Sequence, residues 1–134
     1  MAEIRTFTRI PPDLLPVFEE LHWREPIFHV ECETIIAPDY WEVGASGRRY
    51  SREFIERHFA ENPPIDAGRA GWQCSDYGLR RLGPDIYLFT YTLRQGERIT
   101  RRATIWERSA AGWLVLYHQG TIVTAEVDDV IAPQ

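Results

Sequence analysis

The sequence predicts an α+β domain, with amino-terminal helices packed on an antiparallel sheet built by the second half of the chain. Three observations predict it. Leu14, Phe18 and Leu21 recur at steps of three or four, which puts them on one face of a helix. Beyond Gly71 the period changes, and four long runs rich in aromatic and branched residues follow: "GWQCSDYGLRRL", "DIYLFTYTLR", "RITRRATIWERS" and "GWLVLYHQGTIV". The connectors "GPD", "QGE" and "AAG" are hairpin-like in length, and each holds a glycine. At 134 residues the chain fits one domain spanning residues 1–134, with a core from about 13 to 123.

"PPDLLPVFEELHWREPIFH" reads as the first helix. Asp13 can cap it by accepting from free amides of the first turn, and Pro16 is tolerated where amides have no partner inside the helix. Glu25 and Phe28 continue its apolar stripe, His22 and His29 border it, and Pro26 kinks or breaks it. "VECETIIAP" reads as a second helical piece that stops at Pro38. "YWEVG" is a strand by its alternation, "ASG" a turn and "RRY" a short return strand. Ser51 then caps a helix, "REFIERHFAEN", with Phe54, Ile55, His58 and Phe59 expected on its buried face and Asn62-Pro63-Pro64 ending it. The helices cover one face of the sheet, which leaves the other for a partner subunit.

Composition removes several classes of function. The formal net charge is −5, against a nucleic-acid surface. All 15 basic residues are arginine, so there is neither a Schiff-base lysine nor the lysine of a nucleotide-binding loop. "MAEIRTFTRI" is too polar for a signal peptide, and no apolar run reaches membrane-spanning length. Cys32 and Cys74 have no metal-binding spacing and read as reduced thiols of a cytoplasmic protein. The four histidines, His22, His29, His58 and His118, are scattered, so no metal and no cofactor is expected. "GASGRR" invites a reading as a phosphate cradle. A cradle opens straight onto a helix, whereas here "RRY" intervenes, and a turn with Gly44 or Gly47 at positive φ explains the stretch.

With this order of elements, "YWEVGASGRRYSREF" and "RRATIWERSAAGWLVLYHQGT" resemble the nuclear transport factor 2-like, or ketosteroid isomerase-like, superfamily across nearly the whole chain. The "TIW" strand, the glycine-tryptophan hairpin and the final "YHQGT" resemble, more narrowly, a small bacterial branch known mostly as a domain of unknown function. The resemblance implies a cone that opens between the first helix and the concave sheet, and a homodimer packed through the sheet. Enzymes of the superfamily place an acid-base carboxylate or histidine, often with a tyrosine, in an apolar pocket. The isomerase's general-base aspartate and tyrosine have no matching positions here, so the resemblance does not carry that activity to this chain.

Glu25 is the foremost acid-base candidate, because a carboxylate in an apolar stripe is costly unless it is paired, hydrated or lining a pocket. Pro26 could equally turn it out to solvent, or an arginine could pair it. His22, one turn earlier, is a candidate orienting partner. On the last strand, alternation puts Leu114, Leu116 and His118 on one side and Trp113, Val115, Tyr117 and Gln119 on the other, so only one of His118 and Gln119 faces the interior. His118 joins Glu25 as a catalytic candidate. Arg102, Thr104 and Trp106 share a face of the preceding strand, where an inward arginine suits a carboxylate or enolate. Trp41, Tyr91, Trp106 and Gln119 complete the candidate lining; Trp41 and Glu42 lie on opposite faces of their strand, so at most one sees the pocket. Two functions remain: a pocket for a small apolar or aromatic ligand, with cofactor-free proton transfer, dehydration or hydrolysis as the natural chemistry, or a non-catalytic dimeric interaction module.

Overall fold

The computed structural model describes residues 8–25, 35–62, 68–124 and 129–130. A 3-10 turn, Pro12–Leu14, leads into helix α1, Leu15–Leu21. Strands β1 (Ile36–Val43) and β2 (Arg49–Ser51) precede helix α2 (Arg52–Glu61). Four long strands follow: β3 (Gln73–Gly83), β4 (Ile86–Gln95), β5 (Arg98–Ser109) and β6 (Gly112–Ile122). They form one unclosed sheet in the order β2-β1-β6-β5-β4-β3. All neighbours are antiparallel except β1 and β6, which run parallel. The α+β class, the hairpin β3–β6 and the β1–β2 return are as the sequence predicts.

Helix α1 covers the inner face of the sheet. Leu14, Val17 and Leu21 are buried, and Phe18 stacks on Phe89 with ring centroids 6.0 Å apart and meets Tyr77 edge-on at 5.1 Å. Glu25 lies one turn beyond Leu21 on the same stripe and is buried. The helix is shorter than its sequence suggests: Arg24 N donates to Leu21 O, a turn that ends it before Pro26. Asp13 sits within the preceding 3-10 turn, and Leu14 occupies the cap position without a side-chain cap bond. Trp106 and Trp113 meet edge-on at 6.4 Å at the centre of the core.

Several expectations are corrected. Residues 36–38 of "VECETIIAP" belong to β1 and not to a helix, because Ile36 pairs with Val115 of β6; Pro38, which has no amide to donate, falls where the register shifts between Ile36 and Trp41. His29, Phe28 and Cys32 lie outside the described residues. Helix α2 is capped by Ser51, whose Oγ accepts from Phe54 N at 3.2 Å, yet only Ile55 is buried; Phe54 and His58 are exposed and stack on each other. In "GASG", Gly47 has φ 91° and its amide donates to Gly44 O, while Gly44 N donates to Arg48 O. That closes a hairpin turn, with Arg48 and Arg49 exposed.

Strand β6 departs from strict alternation. Ile105 pairs with Tyr117 and Trp106 with Val115, so Leu116 is an extra residue without a partner across the ladder. This bulge turns the chain by one position. Trp113 and Val115 are buried before it, and His118 and Gly120 after it. His118 therefore shares the inner face with Trp113 and Val115, not with Leu114.

Candidate ligand-binding and acid-base site

The register lines up a polar row across the inner face. Glu42 of β1 lies beside His118 of β6, His118 opposite Thr104 of β5, and Thr104 opposite Phe89 of β4. In the next row Arg102 lies between Gly120 and Tyr91. Strands of period two put all these side chains on one face of the sheet.

Glu25 closes this row from the helix side. Its Oε1 accepts from the Trp106 indole N–H at 2.6 Å and its Oε2 from the Thr104 hydroxyl at 2.9 Å; the Tyr91 hydroxyl is a further hydrogen-bond partner. Each such charge-assisted bond stabilises a carboxylate by about 1.5–3 kcal/mol. Burial outweighs them and pushes the Glu25 pKa up to about 7. The excess over the ordinary value of 4.5 corresponds to about 3 kcal/mol. Near neutral pH this carboxyl is poised between its two forms, the condition for general acid-base chemistry.

Thr104 continues the network. His118 Nδ1 is 2.8 Å from Thr104 Oγ1, and His118 Nε2 is 3.3 Å from Arg102 Nη1. An arginine only donates, so Nε2 carries the lone pair and Nδ1 the proton. Thr104 accepts that proton and donates its own to Glu25. Arg102 Nε donates to Thr100 Oγ1 at 2.9 Å. Its remaining N–H groups have no hydrogen-bond partner among the described residues, and the side chain is half-buried. Solvent thus reaches the Arg102 end, while Glu25, Thr104 and His118 are sealed. Gly120 places no side chain over this guanidinium: a Cβ there would already lie 3.8 Å from Arg102 Cζ.

Glu42 is a second buried carboxyl. The Tyr40 hydroxyl donates to its Oε1 at 2.6 Å. Burial raises its pKa, opposed first by the Tyr40 bond and then by the charges of Arg102 and His58. Burial also raises Cys74, a half-buried free thiol, and pushes Tyr77 up to about 12 and Tyr91 well above its ordinary value. These three groups keep their protons at neutral pH.

The structure thus brings Glu25, Tyr91, Arg102, Trp106 and His118 together. It places the other sequence candidates elsewhere. Trp41 is 45% exposed on the outer face, edge-on to Tyr117 at 4.9 Å. Gln119 is exposed on that face and accepts from the Tyr117 hydroxyl. His22 stacks on Phe18 at 4.9 Å and lies 3.6 Å from Glu19, at the surface end of α1. Of the pair Trp41 and Glu42, of which at most one could see the interior, Glu42 is the inward one. Thr104 was not among the sequence candidates, although its signal was present on the face of Arg102 and Trp106. A separate hollow of about 570 Å³ at the end of β3, β4 and β5 includes Thr92, Arg94 and Arg101. Its Arg101 already bonds Thr92, Asp76 and Asp129.

Among the described residues no cluster of His, Cys, Asp and Glu could hold a metal ion, and no helix is long and apolar enough to cross a membrane. No protein-family model matches the sequence, and no curated protein matches it. Solved structures do match. A protein of unknown function from the DUF3225 family of Pectobacterium atrosepticum is 16% identical with TM-score 0.64, over 85% of this chain and 94% of that one. A nuclear transport factor 2-like protein from Cytophaga hutchinsonii is 17% identical with TM-score 0.60, over 83% of this chain and 97% of that one. The CaMKII hub homology domain of Chlamydomonas reinhardtii is 13% identical with TM-score 0.57, over 83% and 96%. At such identities the likeness is one of fold, and the chain has the nuclear transport factor 2-like fold.

Proposed function

We propose that the inner face binds a small apolar or aromatic molecule with an anionic end, and that Glu25 exchanges a proton with it without a cofactor. The observation that carries this reading is the sealed Glu25 carboxyl, held by Trp106, Thr104 and Tyr91 and linked through His118 to an arginine with N–H groups to spare. A buried acid in such a network is costly to keep if it only fills the core. Arg102 holds the anionic end, since a guanidinium fork matches a carboxylate or enolate. Trp106, Phe89 and Tyr91 supply the aromatic wall. Proton transfer, dehydration and hydrolysis are the chemistries open to one carboxyl and one imidazole.

The test is a titration with benzoate and phenylacetate, followed by amide chemical shifts, on the wild type and on Glu25→Gln, His118→Asn and Arg102→Met. Shifts clustered on β5 and β6 that vanish in Arg102→Met support the reading. If Glu25→Gln and His118→Asn change stability and neither changes binding, these two are core residues and the acid-base role fails.

A second reading has its own support. The outer sheet face exposes Trp41 and Leu82, and a hub homology domain shares the fold. On this reading the protein is a cytoplasmic homodimer paired through that face, and the inner network is a structural remnant. Light scattering that finds a monomer at micromolar concentration counts against it.

A further inference from the structure

The hydrogen bonds that join Arg102 to Glu25 have a direction. Arg102 Nη1 donates to His118 Nε2, His118 Nδ1 donates to Thr104 Oγ1, and Thr104 donates to Glu25 Oε2, over 3.3, 2.8 and 2.9 Å. A hydroxyl has a single proton, so Thr104 can serve only one of its two neighbours at a time. We propose that this chain couples the site to protons: a small organic carboxylate binds at Arg102 and His118 together with the uptake of one proton, which comes to rest on Glu25. The proposal rests on the reading of Arg102 as the anion-holding group.

The step balances. A proton is delivered to His118 Nε2 from the Arg102 side, the end of the chain that solvent reaches. The Nδ1 proton passes to Thr104 Oγ1, and the original Thr104 proton passes to Glu25 Oε2. One proton enters, the two hydrogen bonds through Thr104 now run the opposite way, and the bond from Arg102 to His118 is lost. Glu25 donates to Thr104, Thr104 donates to Nδ1, and Nε2–H faces Arg102 donor to donor. Two donors without an acceptor between them make a seat for a carboxylate, whose oxygens accept from Nε2–H and Nη1–H. Without the proton, Arg102 spends Nη1 on the imidazole and Nε2 offers the ligand a lone pair.

Charge favours the same coupling. The groups that face this network are Glu42 and Tyr40 from β1, His58 from α2, Cys74 and Tyr77 from β3, Tyr91 from β4, Arg102 from β5 and His118 from β6, with Glu25 beyond α1. Tyr77, Tyr91 and the Cys74 thiol are held protonated by burial. With both glutamates ionised, Arg102 cannot neutralise them and an anionic ligand as well; one proton offsets the ligand's charge. Glu42 is the alternative seat for that proton, since it is also buried and also faces Arg102.

The experiment is isothermal titration of the full chain with phenylacetate in two buffers of different protonation enthalpy, from about pH 6 to 9, which reads affinity and protons taken up. The wild type is expected to take up close to one proton at the alkaline end, and to lose affinity about tenfold per pH unit there. Glu25→Gln, whose amide can donate to Thr104 and hold the chain reversed, is expected to bind at about pH 8 as the wild type does at about pH 6, without proton uptake. Thr104→Val, which keeps the shape but cuts the relay, is expected to bind with less than half of the wild-type uptake. Affinity that is independent of pH in the wild type, or undiminished uptake in Glu25→Gln, overturns the coupling while leaving the anion site intact. If uptake survives in Glu25→Gln and is lost in Glu42→Gln, Glu42 is the seat and the relay is overturned. Absence of phenylacetate binding at every pH, or binding unchanged in Arg102→Met, overturns the anion site and the coupling with it.

Discussion

The two faces of this sheet are built on opposite plans. The inner face, under α1, buries Glu25, Glu42, Thr100, Thr104 and His118 among Phe89, Tyr91 and Trp106. The outer face exposes Trp41 and keeps its polar groups, such as Gln119, at the surface. An ordinary half-buried sheet sorts apolar residues inward and polar ones outward. Here acids and a histidine are inside, each satisfied by a named donor or acceptor, and a tryptophan is outside. Buried polar groups raise the cost of errors and specify a unique arrangement; exposed aromatics contribute little until something covers them.

The largest expected effect is at Trp106, which is fully buried and donates to Glu25. Trp106→Ala should cost about 3–5 kcal/mol in urea unfolding, since it opens a cavity and removes a donor from a buried carboxyl. A loss under about 1 kcal/mol would remove the contrast between the faces.

The next effect is a pH dependence. Glu25 holds its proton more tightly when folded, with pKa about 7 against 4.5 in the unfolded chain. Its contribution is complete below the unfolded value, declines as pH rises, and is gone above about 7, a loss of about 3 kcal/mol in all. Glu25→Gln should flatten that segment of the stability profile. An unchanged slope between these pH values would show that Glu25 does not titrate in this range.

A smaller effect belongs to helix α2. Ser51→Ala removes the cap on Phe54 N and should cost about 1 kcal/mol, without altering phenylacetate binding. The smallest lies outside. Trp41→Ser should change the unfolding free energy of dilute protein by less than about 0.5 kcal/mol, yet weaken self-association measured by sedimentation. If association is unaffected, the outer face is not the contact between copies.

Much of this was legible in the sequence, and the exceptions are specific. Helical spacing places Glu25 with Leu14 and Leu21, and alternation places Arg102, Thr104 and Trp106 together; the structure keeps both groupings. Alternation also separates Trp41 from Glu42, but says nothing of which points inward. The parallel pairing of β1 with β6 answers that, since it sets Glu42 beside His118. His118 itself was misgrouped with Leu114, because one unpaired residue, Leu116, shifts the pattern without any mark in the composition. Residues 36–38 were read as helical because strand pairing across some eighty positions of chain has no local signature.

By itself, the sequence determined the class of elements, the hairpin connections, the stripe that carries Glu25 and the exclusion of lysine chemistry. These depend on period, turn residues and composition, which act over a few residues. Only the tertiary structure decided that Glu25, Thr104, His118 and Arg102 form one continuous chain of hydrogen bonds. Those four residues come from three distant segments. Their convergence depends on a bulge and a register, and both are set by packing across the whole sheet.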